Sequence, residues 1–142
     1  MRGEARIRVE APAEKVWDLV ADVTRMGEWS PETYRAVWLD GATGPTVGAR
    51  FRGDNRMGLV KWSTTPTITA ATRGEEFAFD TGSTHWRYEF HGREGGCEVT
   101  ESYETHMNVL LELASRLTLR DRALQRGMQK TLEHLKAAAE AG

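Results

Sequence analysis

Near its start the chain runs Ala11-Pro12-Ala13-Glu14-Lys15-Val16-Trp17-Asp18-Leu19-Val20-Ala21-Asp22, and shortly afterwards Glu28-Trp29-Ser30-Pro31. Just before it, Ala5 to Glu10 alternates, with Ile7 and Val9 on one face and Arg6, Arg8 and Glu10 on the other, as in a half-buried strand. Pro12 suits the first position of a helix, where its missing N–H would have had no partner. Val16, Leu19, Val20 and Val23 then keep the i, i+3, i+4, i+7 spacing of one apolar stripe. Gly27 and Pro31 end this helix and the short turn behind it. A strand feeding straight into a short helix, with β-rich sequence next and one long helix last, is the order required by a sheet wrapped around its terminal helix.

The β-rich stretch is read from alternation. Tyr34 to Leu39 is a second strand, followed by the turn-forming run Asp40-Gly41-Ala42-Thr43-Gly44-Pro45. Along Ala49 to Arg56, Phe51, Gly53 and Asn55 face one way and Arg50, Arg52, Asp54 and Arg56 the other. Val60 to Thr72 reads as one long strand, with a bulge or break expected at Pro66, which has no N–H to give a ladder. Phe77 to Phe79 is short. Ser83 to Arg93 sets Trp86, Tyr88 and Phe90 against His85, Arg87, Glu89 and His91, and the Glu94-Gly95-Gly96 turn leads into Cys97 to Thr105. Val99, Glu101 and Tyr103 share one face of that last strand. Leu124, Met128, Leu132 and Leu135 then mark the buried stripe of a closing helix that contains Arg122 to Ala138.

Length and charge bound the function. The 142 residues are expected to form one domain spanning 1–142. A net charge of -2 and a pI near 6.1 supply no general attraction to nucleic acid, which is not an expected partner. Basic residues cluster at Arg50, Arg52 and Arg56, and again at Arg116, Arg120, Arg122, Arg126 and Lys130; they read as solvated faces, since no base-stacking motif accompanies them. Cys97 is alone, so no intramolecular disulfide forms. No signal-like segment opens the sequence and no apolar run approaches about 20 residues, so a cytoplasmic protein without membrane insertion is expected.

The pattern β-α-(α)-β6-α, with Pro12-Ala13-Glu14-Lys15-Val16-Trp17, Glu28-Trp29-Ser30-Pro31, Val47-Gly48-Ala49-Arg50-Phe51 and Val99-Thr100-Glu101-Ser102, resembles the START-like SRPBCC superfamily. It is most similar to the bacterial branch of polyketide cyclases/dehydrases and lipid-transport proteins, whose closing helix is also matched by Gly127-Met128 and Thr131 to Lys136. The resemblance covers essentially the whole chain. It implies an α+β helix-grip fold: a curved, seven-stranded antiparallel sheet around a long C-terminal helix, one or two short helices between the first two strands, and a hydrophobic tunnel inside. Members include aromatase/cyclases and lipid carriers, and no universal catalytic motif unites them.

With the apolar strand faces turned to the helix, the concave surface gathers Phe51, Asn55, Trp62 and Thr64 from the earlier strands. The later strands add Phe77, Phe79, Trp86, Tyr88, Phe90, Val99 and Tyr103. Each aromatic side chain offers about 150–250 Å² to bury. They either interdigitate with Leu124, Met128 and the rest of the helix stripe or leave a cavity; the resemblance favours a cavity, with Trp29 as a core plug or at its mouth. A lipid or a polyketide-like aromatic compound is the expected ligand, and an aromatase/cyclase is the alternative. Glu101 is the one carboxylate on the inward face, where desolvation would raise its pKa, so it is the candidate acid or base as well as a candidate structural group. The four histidines show no metal-ligand spacing, and nucleophile motifs and phosphate loops are missing, so neither metal nor cofactor is expected. Met107 to Leu119, apolar nearly all round, reads as a helix extension, a lid, or the contact of a homodimer.

Overall fold

The computed structural model describes residues 2–106 and 120–142. In chain order these residues form β1 (Arg2–Val9), α1 (Ala13–Ala21), a 3₁₀ helix (Val23–Glu28), β2 (Thr33–Trp38), β3 (Phe51–Met57), β4 (Val60–Thr64), β5 (Thr67–Thr72), β6 (Glu76–Asp80), β7 (Thr84–Arg93), β8 (Gly96–Thr105) and α2 (Arg120–Ala141). The fold is α+β, with every strand pair antiparallel and the closing helix expected from the apolar stripe. The Met107–Leu119 expectation lies outside the described residues.

Among the described residues eight strands stand where seven were expected, and the extra one comes from the interruption at Pro66. The sequence pattern from Val60 to Thr72 is nearly continuous, but Pro66 cannot donate to a ladder, and the chain divides there into β4 and β5. The two pieces join different ladders, β2-β3-β4 and β1-β8-β7-β6-β5. The Pro66 carbonyl accepts from Phe51 N at 3.1 Å, and Ile68 N donates to Ala49 O at 2.9 Å, with one bridge between Arg50 and Thr67. These few bonds stitch the ladders into one curved wall. Bulges between Thr33 and Arg35 and between Ile68 and Ala70 add twist. At the β7–β8 turn, Glu94 and Gly95 both take positive φ (52° and 80°), the requirement of the tight primed hairpin turn.

The helix α2 holds the sheet in two ways. Leu124, Met128, Leu132, Leu135 and Ala139 repeat at helical spacing and are all buried. Its polar side chains cover the free edge of β1: Gln125 Nε2 donates to Glu4 O at 2.6 Å, Lys136 Nζ to Arg8 O at 3.0 Å, and Glu140 Oε2 accepts from Glu10 N at 2.8 Å. An open edge would otherwise be a template for another strand. Beside α2 on the same concave side, α1 closes one end of that surface. Trp17 packs edge-on against Phe77, with ring centroids 6.4 Å apart, and donates its Nε1–H to Glu76 O at 2.8 Å.

Leu132 is fully buried, whereas Leu124 borders open space between the sheet and the helix. Leu132→Ala is therefore expected to cost about 2–5 kcal/mol in urea unfolding, and Leu124→Ala distinctly less, because fewer packed neighbours are lost. Equal losses at the two positions would contradict this arrangement.

Candidate ligand cavity

Between the two ladders and α2 lies a cavity of about 660 Å³, a size typical of small-molecule sites. Strand parity supplies its walls. Phe51 and Asn55 project from β3 and Trp62 from β4, where Asn55 and Trp62 face each other in register. Across the space stand Phe79 from β6 and Trp86 and Tyr88 from β7, with Phe79 opposite Trp86. Leu124 and Met128 of α2 form the roof. Phe51 meets Phe79 edge to face, 5.3 Å between centroids, where the ladders come together. Trp29 lines the cavity and is itself buried; its carbonyl lies 3.0 Å from His134 Nδ1 on α2, which ties the Trp-Ser-Pro corner to the helix. At that corner Ser30 Oγ accepts from Thr33 N at 3.0 Å, fixing the turn into β2.

Three of the aromatic residues expected there are buried elsewhere. Phe77, Phe90 and Tyr103 share the concave face, but they do not line the cavity. Phe77 lies beneath Trp17 of α1. Phe90 pairs with Val99 two residues beyond Tyr88 and Glu101, in the filled core. Tyr103 meets Trp86 at a tilt, 5.4 Å between ring centroids, with its ring against Gly3 of β1. Alternation identifies a face, but the cavity occupies only the part of that face that α1 and β1 leave uncovered.

Two polar centres interrupt the apolar lining. Asn55 is 5% exposed; its Oδ1 accepts from Thr33 Oγ1 at 2.6 Å, and its Nδ2 reaches back to Gly53 O at 3.4 Å. Glu101, 4% exposed, is the cross-strand partner of Tyr88, whose hydroxyl bonds its carboxyl group. Its Oε1 is buried and has no hydrogen-bond partner among the described residues. Burial raises the Glu101 pKa to about 8, outweighing the opposing pull of the Tyr88 bond. Burial, followed by the neighbouring Glu101, pushes the Tyr88 hydroxyl well above its usual range. At neutral pH Glu101 is therefore mainly a neutral carboxylic acid, able to donate as well as accept a hydrogen bond.

The rim includes residues that alternation did not single out for the site. Arg56, Arg126 and Lys130 line the cavity, as do Thr81, Ser83 and Thr84 at the β6–β7 turn. Arg56 belongs to the outward parity of β3, but it sits beside the Met57–Gly58 turn at the mouth. The available signal for the helix residues was spacing: Arg126 and Lys130 are one turn apart and adjoin Gly127 and Thr131, which also line the space. The histidines lie apart from these walls: His85 and His106 approach Asp80 Oδ2 at 3.6 and 3.7 Å. Among the described residues no group of three His, Cys, Asp or Glu side chains is placed to hold a metal ion, and no helix is long and apolar enough to cross a membrane.

The sequence model for polyketide cyclases/dehydrases and lipid-transport proteins matches residues 2–140. No curated protein matches the chain by sequence. Among solved structures, the chain is similar to the KanY protein (14% identity, TM-score 0.79, covering 99% of this chain and 97% of that one). It is also similar to the Polyketide_cyc-like protein Cgl2372 from Corynebacterium glutamicum (29% identity, TM-score 0.56, covering 98% and 85%). A third likeness is to StfQ, a di-domain ARO/CYC protein of the steffimycin biosynthetic pathway (16% identity, TM-score 0.77); it takes in 99% of this chain and 50% of StfQ.

The buried carboxyl group makes stability pH-dependent in a definite direction. Unfolded, Glu101 releases its proton near pH 4.5; folded, it keeps it to about pH 8. Between these values the unfolded chain binds fewer protons, so this residue's effect is to lower stability as pH rises, by up to about 5 kcal/mol, with the loss complete above pH 8. Glu101→Gln removes that titration. Measured by urea unfolding from about pH 5 to about pH 9, the variant should gain on the parent by about 2–5 kcal/mol. A difference that does not change with pH would mean that Glu101 is ionised throughout.

Proposed function

Because the chain belongs to the family of polyketide cyclases/dehydrases and lipid-transport proteins, we propose that it binds a mainly apolar small molecule, a lipid or a polyketide-like aromatic, in the cavity between the sheet and α2. The observation that carries this reading is the open volume itself. Packed protein interiors leave few voids larger than a water molecule, yet Phe51, Phe79, Trp86 and Met128 converge here without filling about 660 Å³. Asn55 and the neutral Glu101–Tyr88 pair supply a few convergent hydrogen-bonding groups in an apolar wall, which suits orientation of such a ligand.

A second reading is favoured by one group. A carboxyl that titrates at about pH 8, on a residue that lines the cavity and with one buried oxygen unpartnered among the described residues, is matched to proton transfer near neutrality. In that reading the cavity folds a poly-β-ketone chain, and Glu101, helped by Tyr88, moves protons during ring closure. Glu101→Gln would then abolish turnover while leaving affinity nearly unchanged. Parallel loss of binding and stability would instead assign the residue a structural role.

Binding is tested with a neutral apolar fluorophore such as Nile red. Three of the five tryptophans, Trp29, Trp62 and Trp86, line the cavity, so an occupant should quench tryptophan emission. Gly53 also faces the space, and a Cβ added there meets only ordinary contacts with Thr64 and Thr33. Gly53→Leu should therefore occupy the cavity, weaken probe binding at least about tenfold and leave the thermal midpoint near that of the parent. Undiminished probe binding by a folded Gly53→Leu protein would sink the assignment to this cavity.

A further inference from the structure

The charge of the rim specifies the ligand more narrowly than its apolar walls do. Many of the arginines away from the cavity are matched with carboxylates: Arg25 with Glu28, Arg50 with Asp40, Arg52 with Asp54, Arg73 with Asp18 and Arg87 with Glu76. For Arg50 and Arg52 the solvated-face reading of the basic cluster describes the structure. The three cations that line the cavity differ. Arg56, Arg126 and Lys130 make no ion pair among the described residues, and Arg56 makes only a cation–π contact, with its guanidinium carbon 5.8 Å from the Tyr34 ring centre.

Arg126 and Lys130 also sit at i,i+4 on α2, where like charges disfavour a helix. Against these three cations the lining contains two carboxyl groups, Glu32 and Glu101. Glu101 is deep and mainly protonated at neutral pH, which leaves one carboxylate facing three positive charges. The cavity therefore has an apolar interior with neutral polar groups and a mouth of net positive charge. A fully neutral ligand would make no use of that mouth.

We propose that the cavity takes an amphiphile with an anionic oxygen head, a carboxylate or phosphate monoester, held at the mouth by Arg56, Arg126 and Lys130, with its apolar body inside against Trp86, Phe51 and Met128. This rests on the apolar-ligand reading above and adds the head group to it. Arginine and lysine at a partly exposed rim bind such oxygens by charge-assisted hydrogen bonds, and their aliphatic stems extend the apolar wall toward the interior.

The test compares ligands of one chain length, dodecanoate, dodecyl phosphate and dodecanol, by displacement of Nile red from the purified protein at about pH 7.5 and low salt. Both anions should bind at least about tenfold more tightly than the alcohol. The advantage should shrink as salt screens the rim. It should fall toward unity in the double variant Arg126→Gln/Lys130→Gln, whose sites are exposed and whose fold is checked by its thermal midpoint. Equal affinity for the alcohol and the anions overturns the proposal while the apolar-ligand reading stands. An anion advantage that survives Arg56→Gln added to the double variant overturns the assignment to these residues. If neither class of probe binds, the apolar-ligand reading itself fails and this inference fails with it.

Discussion

The two ladders of this structure meet at Pro66, where one hydrogen-bond donor is missing from the chain that joins them. Pro66 has no N–H, so a stretch whose side chains otherwise suit one long strand loses one ladder bond there, while Phe51 N still donates to the Pro66 carbonyl and the Arg50–Thr67 bridge keeps the register of β3 with β4. The residues before it continue the β2-β3-β4 ladder and those after it begin the edge of the five-stranded one. Around this junction the wall curves, and Phe51 of the shorter ladder meets Phe79 of the longer one. Aromatic side chains that would have tiled a flat sheet instead face one another across a gap, and α2 is left to close the third side.

The second organising feature is the division of labour along α2. Its apolar stripe anchors the helix in the core, while Gln125, Lys136 and Glu140 bond the backbone at the free edge of β1. Those bonds constrain the helix in rotation as well as position. With the stripe directed at the core and the edge-binding residues at β1, the remaining sector, which holds Ala123, Arg126, Gly127 and Lys130, is brought to the cavity. Small residues there keep the roof from filling the space, and long cationic ones extend along its rim. One helix thus encloses the cavity and sets its electrostatics.

Inside, the decisive energy is desolvation. Glu101 is almost fully buried, and keeping a charge there costs more than the Tyr88 hydrogen bond returns. The result is a polar lining that is uncharged at neutral pH beneath a charged mouth. An electrostatic gradient of this kind favours ligands whose two ends differ in polarity, and it orients them as well as retaining them.

Much of this was legible from the residues alone. Period-2 alternation in Ala49–Arg56, Ser83–Arg93 and Cys97–Thr105 identified strands and their inward faces, because successive side chains on a strand must point oppositely. The spacing of Leu124, Met128, Leu132 and Leu135 identified the gripping helix, and the lone inward carboxylate drew attention to Glu101. Alternation is a local property, and it assigns each residue a side without saying what stands opposite. The sequence therefore could not separate Phe77, Phe90 and Tyr103, covered by α1, filled core and β1, from Phe79, Trp86 and Tyr88, which face open space. It could not show that Arg56, outward by parity, reaches the mouth from the end of its strand, or that Arg126 and Lys130 meet it there from a helix about 70 residues away. Local periodicity determined the elements and their faces; only tertiary packing decided which part of the concave face stayed empty and which charges surround its opening, because both depend on contacts between segments far apart in the chain.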